Sequence, residues 1–102
     1  MDGIIRIDKV VSELEVWLDA SFPFAKFKVK VLERSNGDYL AVPNLARRDR
    51  VSGERDGLSG LGDDPEEAVN DLLARFVSNV RENSIGIELS EADFEWSAPE
   101  DF

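Results

Sequence analysis

Apolar and charged residues alternate strictly from Lys26 to Val31. Phe27, Val29 and Val31 fall on one side, and Lys26, Lys28 and Lys30 on the other. A period of two is that of a half-buried strand. Ser35-Asn36-Gly37-Asp38 follows, and Asn-Gly accepts the positive φ of a tight reversal. Tyr39 to Val42 returns and stops near Pro43. Phe27–Leu32 and Tyr39–Val42 therefore predict an antiparallel hairpin with a lysine-lined outer face. At Asp64 the period changes. Ala68, Val69, Leu72, Leu73, Phe76, Val77 and Val80 form one apolar stripe of a helix running to Glu82. Asp64 is placed to cap it, Pro65 suits its first position, and Glu67 completes a capping-box pattern. Asp71 and Arg75 sit four apart on its wet face.

Shorter signals fill in the rest. Leu58 to Leu61 reads as a third strand, and the alternation of Ile85, Ile87 and Leu89 as a last one. Ser90 to Trp96 fits a short helix or an extension of that strand, and residues 97–102 form an acidic tail. Within residues 1–24, Ile4, Ile7, Val11, Leu14 and Leu18 recur at helical spacing, whereas Leu14, Val16 and Leu18 alternate with charged or aromatic residues as in a strand. The reading leans to a helix. Residues 46–57, ARRDRVSGERDG, predict a long polar loop. The expectation is one α+β domain over 1–102: a hairpin-based antiparallel sheet of three to four strands on one long amphipathic helix, in the order β-β-β-α-β.

Charge changes this picture from a generic small domain to a polarised one. Residues 61–102 carry twelve acids and two bases, which equals the net −10 of the whole chain. Residues 1–24 are net −3 and residues 25–60 net +3. Such a chain repels nucleic acid and anionic lipid and attracts a basic partner. The absence of cysteine and histidine excludes disulfides, thiolate zinc sites, cysteine nucleophiles and the commonest general base. No nucleophile elbow or lysine-bearing phosphate loop occurs, and GLSGLG is followed by Asp63-Asp64, which would repel phosphate. The expectation is a binding protein rather than an enzyme, with no cofactor and no metal. MDGIIRIDKV lacks a signal peptide's basic start and apolar run, and no apolar run is long enough to cross a membrane. The expected location is the cytoplasm, most simply of a bacterium.

Two stretches, FKVKVLERSNGDYLAVPNL (27–45) and SGLGDDPEEAVNDLLARFVSNV (59–80), carry a resemblance. The charged strand, the G-D-Y-x-A-x-P-N-L return strand and the G-x-D-x-P-E-E-A helix start resemble the antitoxin domain of the HicB family. The likeness covers about residues 27–80. It implies a β-β-β-α fold like a double-stranded-RNA-binding domain, and neutralisation of a small basic ribonuclease toxin. The chain departs from the family at Ala46, where a proline and glycine usually follow, and in ending on an acidic-aromatic segment instead of a DNA-binding one. A small acidic immunity protein of a bacterial toxin system fits the same outline.

The candidate site follows from that segment. Glu88, Glu91, Asp93, Glu95, Trp96, Glu100 and Asp101 would enter the cationic active site of a nuclease, acids replacing phosphates and Trp96 or Phe94 acting as the anchor. The plainer reading puts Phe94 and Trp96 at the core edge and the acids on a solvated rim. Arg47, Arg48 and Arg50, with Arg55, form a second candidate surface. They could grip phosphate, but Asp49, Glu54 and Asp56 lie among them, so they fit better as a solvated loop or as a contact for acids on a partner or a second copy. Lys26, Lys28 and Lys30 fit a nucleic-acid platform or, preferably, guards against aggregation on an edge strand. Asp63, Asp64, Glu66 and Glu67 read as helix capping and dipole compensation rather than a metal site. The expected partner is a basic protein, most simply a nuclease toxin. A membrane is not expected, nucleic acid is disfavoured, and a homodimer is left open.

Overall fold

In the computed structural model, which describes residues 2–102, the chain folds as two sheets sharing one helix. The larger sheet has the strand order β1-β2-β3-β6 and is antiparallel throughout. β1 is Lys9–Trp17, β2 Lys26–Glu33, β3 Tyr39–Pro43 and β6 Gly60–Gly62. The hairpin turns as its sequence predicts. Gly37 has φ 90°, the Gly37 N–H donates to the Arg34 carbonyl at 3.0 Å, and Glu33 faces Tyr39.

Helix α1, Pro65–Glu82, covers one face of this sheet. The Asp64 carboxylate accepts the Glu67 N–H at 2.8 Å, which satisfies one of the orphan donors of the first turn. Ala68, Leu72, Phe76 and Val80 point into the core against Phe27, Val29, Val31 and Ala41. Gly60 and Gly62 let α1 come close. A Cβ on Gly60 would fall on the Ala68 carbonyl and the Leu72 N–H, and one on Gly62 on the Ala68 N–H.

Residues 9–17 are strand, not the helix toward which the spacing leans. Ser12, Leu14 and Val16 face Val31, Val29 and Phe27, so the alternation continues the buried face of β2. On the other face Glu15 and Glu13 lie 3.0 Å and 3.7 Å from Lys26 and Lys28. Ile4 and Ile7, which gave the helical spacing, precede the strand. β2 is consequently an interior strand. Lys26 and Lys28 pair across to β1 and Lys30 lies against the Phe102 ring, so none of the three guards an edge; the edges are β1 and β6.

The smaller sheet has the order β5-β4-β7, with β4 Leu45–Arg48, β5 Arg55–Asp56 and β7 Phe94–Trp96. The expected loop 46–57 is thus largely a short hairpin. Its tip is closed by the Asp49 carboxylate, which accepts the Val51 and Ser52 N–H groups, and by Gly53 at φ 75°. The expected strand over Ile85–Leu89 does not form. Gly86 turns at φ 71° and the Ile87 N–H bonds the Ser84 carbonyl, reversing the chain. A 3-10 turn, Glu91–Asp93, leads into β7, which pairs with β4 in the register Leu45↔Trp96 to Arg47↔Phe94. Asn44 makes the corner between the sheets. Its side-chain oxygen accepts the Lys28 N–H at 2.8 Å, and its carbonyl accepts the Ser97 N–H at 2.8 Å.

Candidate functional site

The two charged surfaces read separately from the sequence meet in the folded chain. Arg50 grips Asp93 with two hydrogen bonds, at 2.5 and 2.6 Å, and reaches the Glu88 carbonyl at 3.2 Å. Arg48 bonds Glu95 at 2.9 Å, and Arg55 bonds the Ser97 hydroxyl at 2.6 Å. Arg47 turns the other way, to Asn79 of α1 at 2.8 Å and Asp56 at 3.0 Å, while the Asn79 amide donates to the same Asp56 oxygen at 2.8 Å. Each arginine of the 46–57 segment therefore has a partner within its own chain.

Asp93 is the most deeply placed of these groups, only 6% exposed. The Arg50 guanidinium holds its carboxyl below the usual carboxylate range, burial opposes that, and the Ser90 N–H adds to it. Asp56 is lowered for a similar reason, first by the Asn79 amide and then by Arg47. Asp93 holds the 3-10 turn and the start of β7 to the end of the β4–β5 hairpin, while Asp56 ties β4 and β5 to α1. Beneath them lies an aromatic cluster. Phe94 is buried and sits 5.5 Å from Phe24 and 6.2 Å from Phe22. Trp96 packs edge-on against Phe24 at 4.9 Å yet remains 43% exposed.

The expected acidic surface is thereby divided into three. Its middle, Asp93 and Glu95, is clamped by arginine. Glu88 and Glu91 are exposed, and Glu88 lines an open cleft of roughly 700 Å³ at the C-terminal end of α1. That cleft has apolar walls from Phe22, Val80 and Leu89, and its charged groups are Asp19, Arg81 and Glu88. Asp19 is held low by the hydroxyl and N–H of Ser21. Glu100 and Asp101 are also exposed, but Asp101 borders a different depression, on the outer face of the large sheet, beside Lys30 and Phe102. Asp64 caps α1 as expected. Asp71 accepts the Leu61 N–H at 3.0 Å and pairs with Arg75.

Among the described residues, nine bases pair with nine acids: Arg6, Lys9, Lys26, Lys28, Arg34, Arg47, Arg48, Arg50 and Arg75. Of twelve bases and twenty-two acids, three bases and thirteen acids are left over, so the net −10 resides on acids outside ion pairs. One of the three bases, Lys30, lies over the Phe102 ring at 4.6 Å. Sequence reasoning placed the arginines and the acids correctly as charged groups but missed that they satisfy each other. The available signal was the match of a basic run, Arg47 to Arg50, to acids at Asp93 and Glu95 in a segment too short to form a strand alone.

Comparison with protein-family models, with curated proteins and with solved structures gives no match for this chain. Among the described residues no group of three or more acids is arranged to hold a metal ion, and no helix is long and apolar enough to cross a membrane.

Proposed function

We propose that this chain is an acidic inhibitor, a HicB-like antitoxin or a toxin-immunity protein of that outline, which binds a basic nuclease toxin and occludes its active site. The observation that carries the reading is the charge left after internal pairing: thirteen acids against three bases. A surface of that kind draws a cationic protein by long-range attraction and discriminates against phosphate-bearing ligands. The α+β scaffold of an antiparallel sheet on one main helix is compatible with the HicB resemblance.

Of the residues first considered for the interface, Glu88 and Glu91 are the strongest. They are exposed, and Glu88 stands beside a cleft whose apolar walls suit the stem of a partner's lysine or arginine. Asp93 and Glu95 act inside the protein, and holding them in Arg50 and Arg48 fixes the segment that presents Glu88 and Glu91. The rival reading, a nucleic-acid adaptor, loses its platform, because Lys26 and Lys28 are engaged by Glu15 and Glu13.

The experiment is a nuclease-treated pull-down from the native source with the intact chain and with the pair Glu88→Lys, Glu91→Lys. Capture of one small basic protein by the intact chain only, with affinity falling steeply as salt is raised, is the expected result. Retention of RNA when nuclease is omitted, with no protein partner, would refute it in favour of the adaptor.

A further inference from the structure

The cleft beside Glu88 is built by three stretches of chain: the turn 19–23, the C-terminal end of α1, and the reversal 84–89. Phe22, Val80, Ile87 and Leu89 give it apolar walls, and two of the stretches each bring a carboxylate, Asp19 and Glu88. Both acids are exposed, and neither is among the nine ion pairs. Asp19 uses a single oxygen, Oδ1, to accept both the Ser21 N–H at 2.9 Å and the Ser21 hydroxyl at 2.5 Å. Among the described residues its Oδ2 has no donor. The end of a helix adds partial negative charge of its own. Three features of one sign thus converge on apolar walls.

Arg81 is the exception. It is the one base lining the cleft, and Asp19 feels its charge, yet it forms no ion pair with either acid. Near the mouth the surface turns apolar. Ile85 is 82% exposed, and so to 98% is Val51, at the tip of the β4–β5 hairpin whose Arg50 bonds the Glu88 carbonyl. A macromolecular partner covers exposed aliphatic groups around a charged recess, whereas a small ligand would leave them in water.

We propose, resting on the inhibitor reading above, that this cleft receives one arginine side chain of the basic partner. The guanidinium lies between Asp19 and Glu88, its methylene stem lies on Phe22 and Leu89, and Ile85 and Val51 meet the partner's neighbouring residues. Arginine suits the cleft better than lysine. Its flat fork offers five donors in fixed directions, enough for two carboxylates from different segments. It is also more weakly hydrated than an ammonium, so it enters an apolar recess at lower cost. Arg81 offers the same group from within the chain. It offsets part of the cleft's charge in the free protein and has to yield when a second guanidinium arrives. Asp19, absent from the interface read from the sequence, thereby joins Glu88 in it.

The test needs no partner protein. Acetyl-Leu-Arg-Leu-amide is titrated into the intact, nitrogen-15-labelled chain, beside the same peptide with lysine or with neutral citrulline in place of arginine. The expected result is saturable binding at about 1 mM, with amide shifts concentrated at residues 19–22 and 84–89. Lysine should bind several-fold less well, and citrulline not at all. Asp19→Asn keeps the oxygen that Ser21 uses and should weaken the arginine peptide about tenfold, with the remaining amide spectrum unchanged. Arg81→Gln should tighten it about threefold by removing a like charge. No saturable binding, shifts spread equally over Asp63 to Glu67, or indifference to Asp19→Asn would each overturn the proposal, even if the pull-down captures a basic protein. Arginine-specific binding in the cleft, with no basic protein captured, would uphold the pocket and refute the inhibitor reading instead.

Discussion

The two sheets of this protein are held by different forces. The large sheet and α1 meet through apolar side chains, Phe27, Val29, Val31 and Ala41 against Ala68, Leu72, Phe76 and Val80. Apart from Leu45, Ala46 and Phe94, the small sheet has little apolar surface to bury. Arginine ties it together: Arg48 to Glu95, Arg50 to Asp93, Arg47 to Asp56 and Asn79. Hydrophobic burial tolerates changes of pH and salt, whereas partly exposed ion pairs do not. The difference teaches that a charged segment can serve as structure, and that its charge is then unavailable for binding.

The largest effect expected on either side of this contrast is at the helix–sheet contact. Leu72 is fully buried, and Leu72→Ala should cost about 3 kcal/mol. Gly60→Ala should cost about 2 kcal/mol, because its methyl meets helix backbone that cannot yield. Urea denaturation checks both, and a Gly60→Ala chain as stable as the parent would mean that α1 lies farther from β6 than described. Next comes the clamp. Asp93→Ala leaves Arg50 and the Ser90 N–H without their partner and should cost about 2 kcal/mol. Hydrogen exchange should quicken at β4 and β7 while β2 and β3 stay protected. Equal loss of protection in both sheets would erase the distinction between them.

Acid should act on the clamp in the same sense. Asp93 and Asp56 are held below their ordinary range in the folded chain. Their contribution is complete above pH about 4 and is lost as pH falls through the lower folded values. In a Trp17→Phe chain, fluorescence of Trp96, which packs on Phe24, should therefore report loosening below pH 4 before far-UV ellipticity is lost. Coincident transitions would show one cooperative unit. The smallest effect should come from the lysine face: Lys28→Ala or Glu13→Ala, an exposed pair, should change stability by less than about 0.5 kcal/mol.

How much of this was legible in the chain follows the same division. The hairpin and α1 are declared by local signals: alternation, Asn36-Gly37, the Asp64 cap with Pro65, and a continuous apolar stripe. β1 was ambiguous because Ile4 and Ile7, which stand outside the strand, happen to extend Val11, Leu14 and Leu18 at helical spacing. The small sheet was illegible because β5 has two residues and β7 three, too few for a period, and because β4 is half arginine. Its pairing is decided by contacts more than forty residues apart, Arg50 with Asp93 and Arg48 with Glu95. For the candidate site, the residue types were legible, but the exposure that separates Glu88 and Glu91 from Asp93 was not.

The placement of β4 has a consequence for the order of events as the chain folds. It follows β3 after the single residue Asn44, yet its partner β7 begins some fifty residues later. Closing that long loop carries an entropic penalty that the hairpin and helix do not meet. The large sheet and α1 can condense first, with β4 paired only to its local neighbour β5, while Leu45 and Ala46 wait for β7. The final step is then the arrival of acids at a row of arginines, an encounter guided by Coulomb attraction over distances of about a Debye length. Added salt should slow that last step and leave the first nearly unchanged, so ionic strength becomes the variable that separates collapse from closure in time.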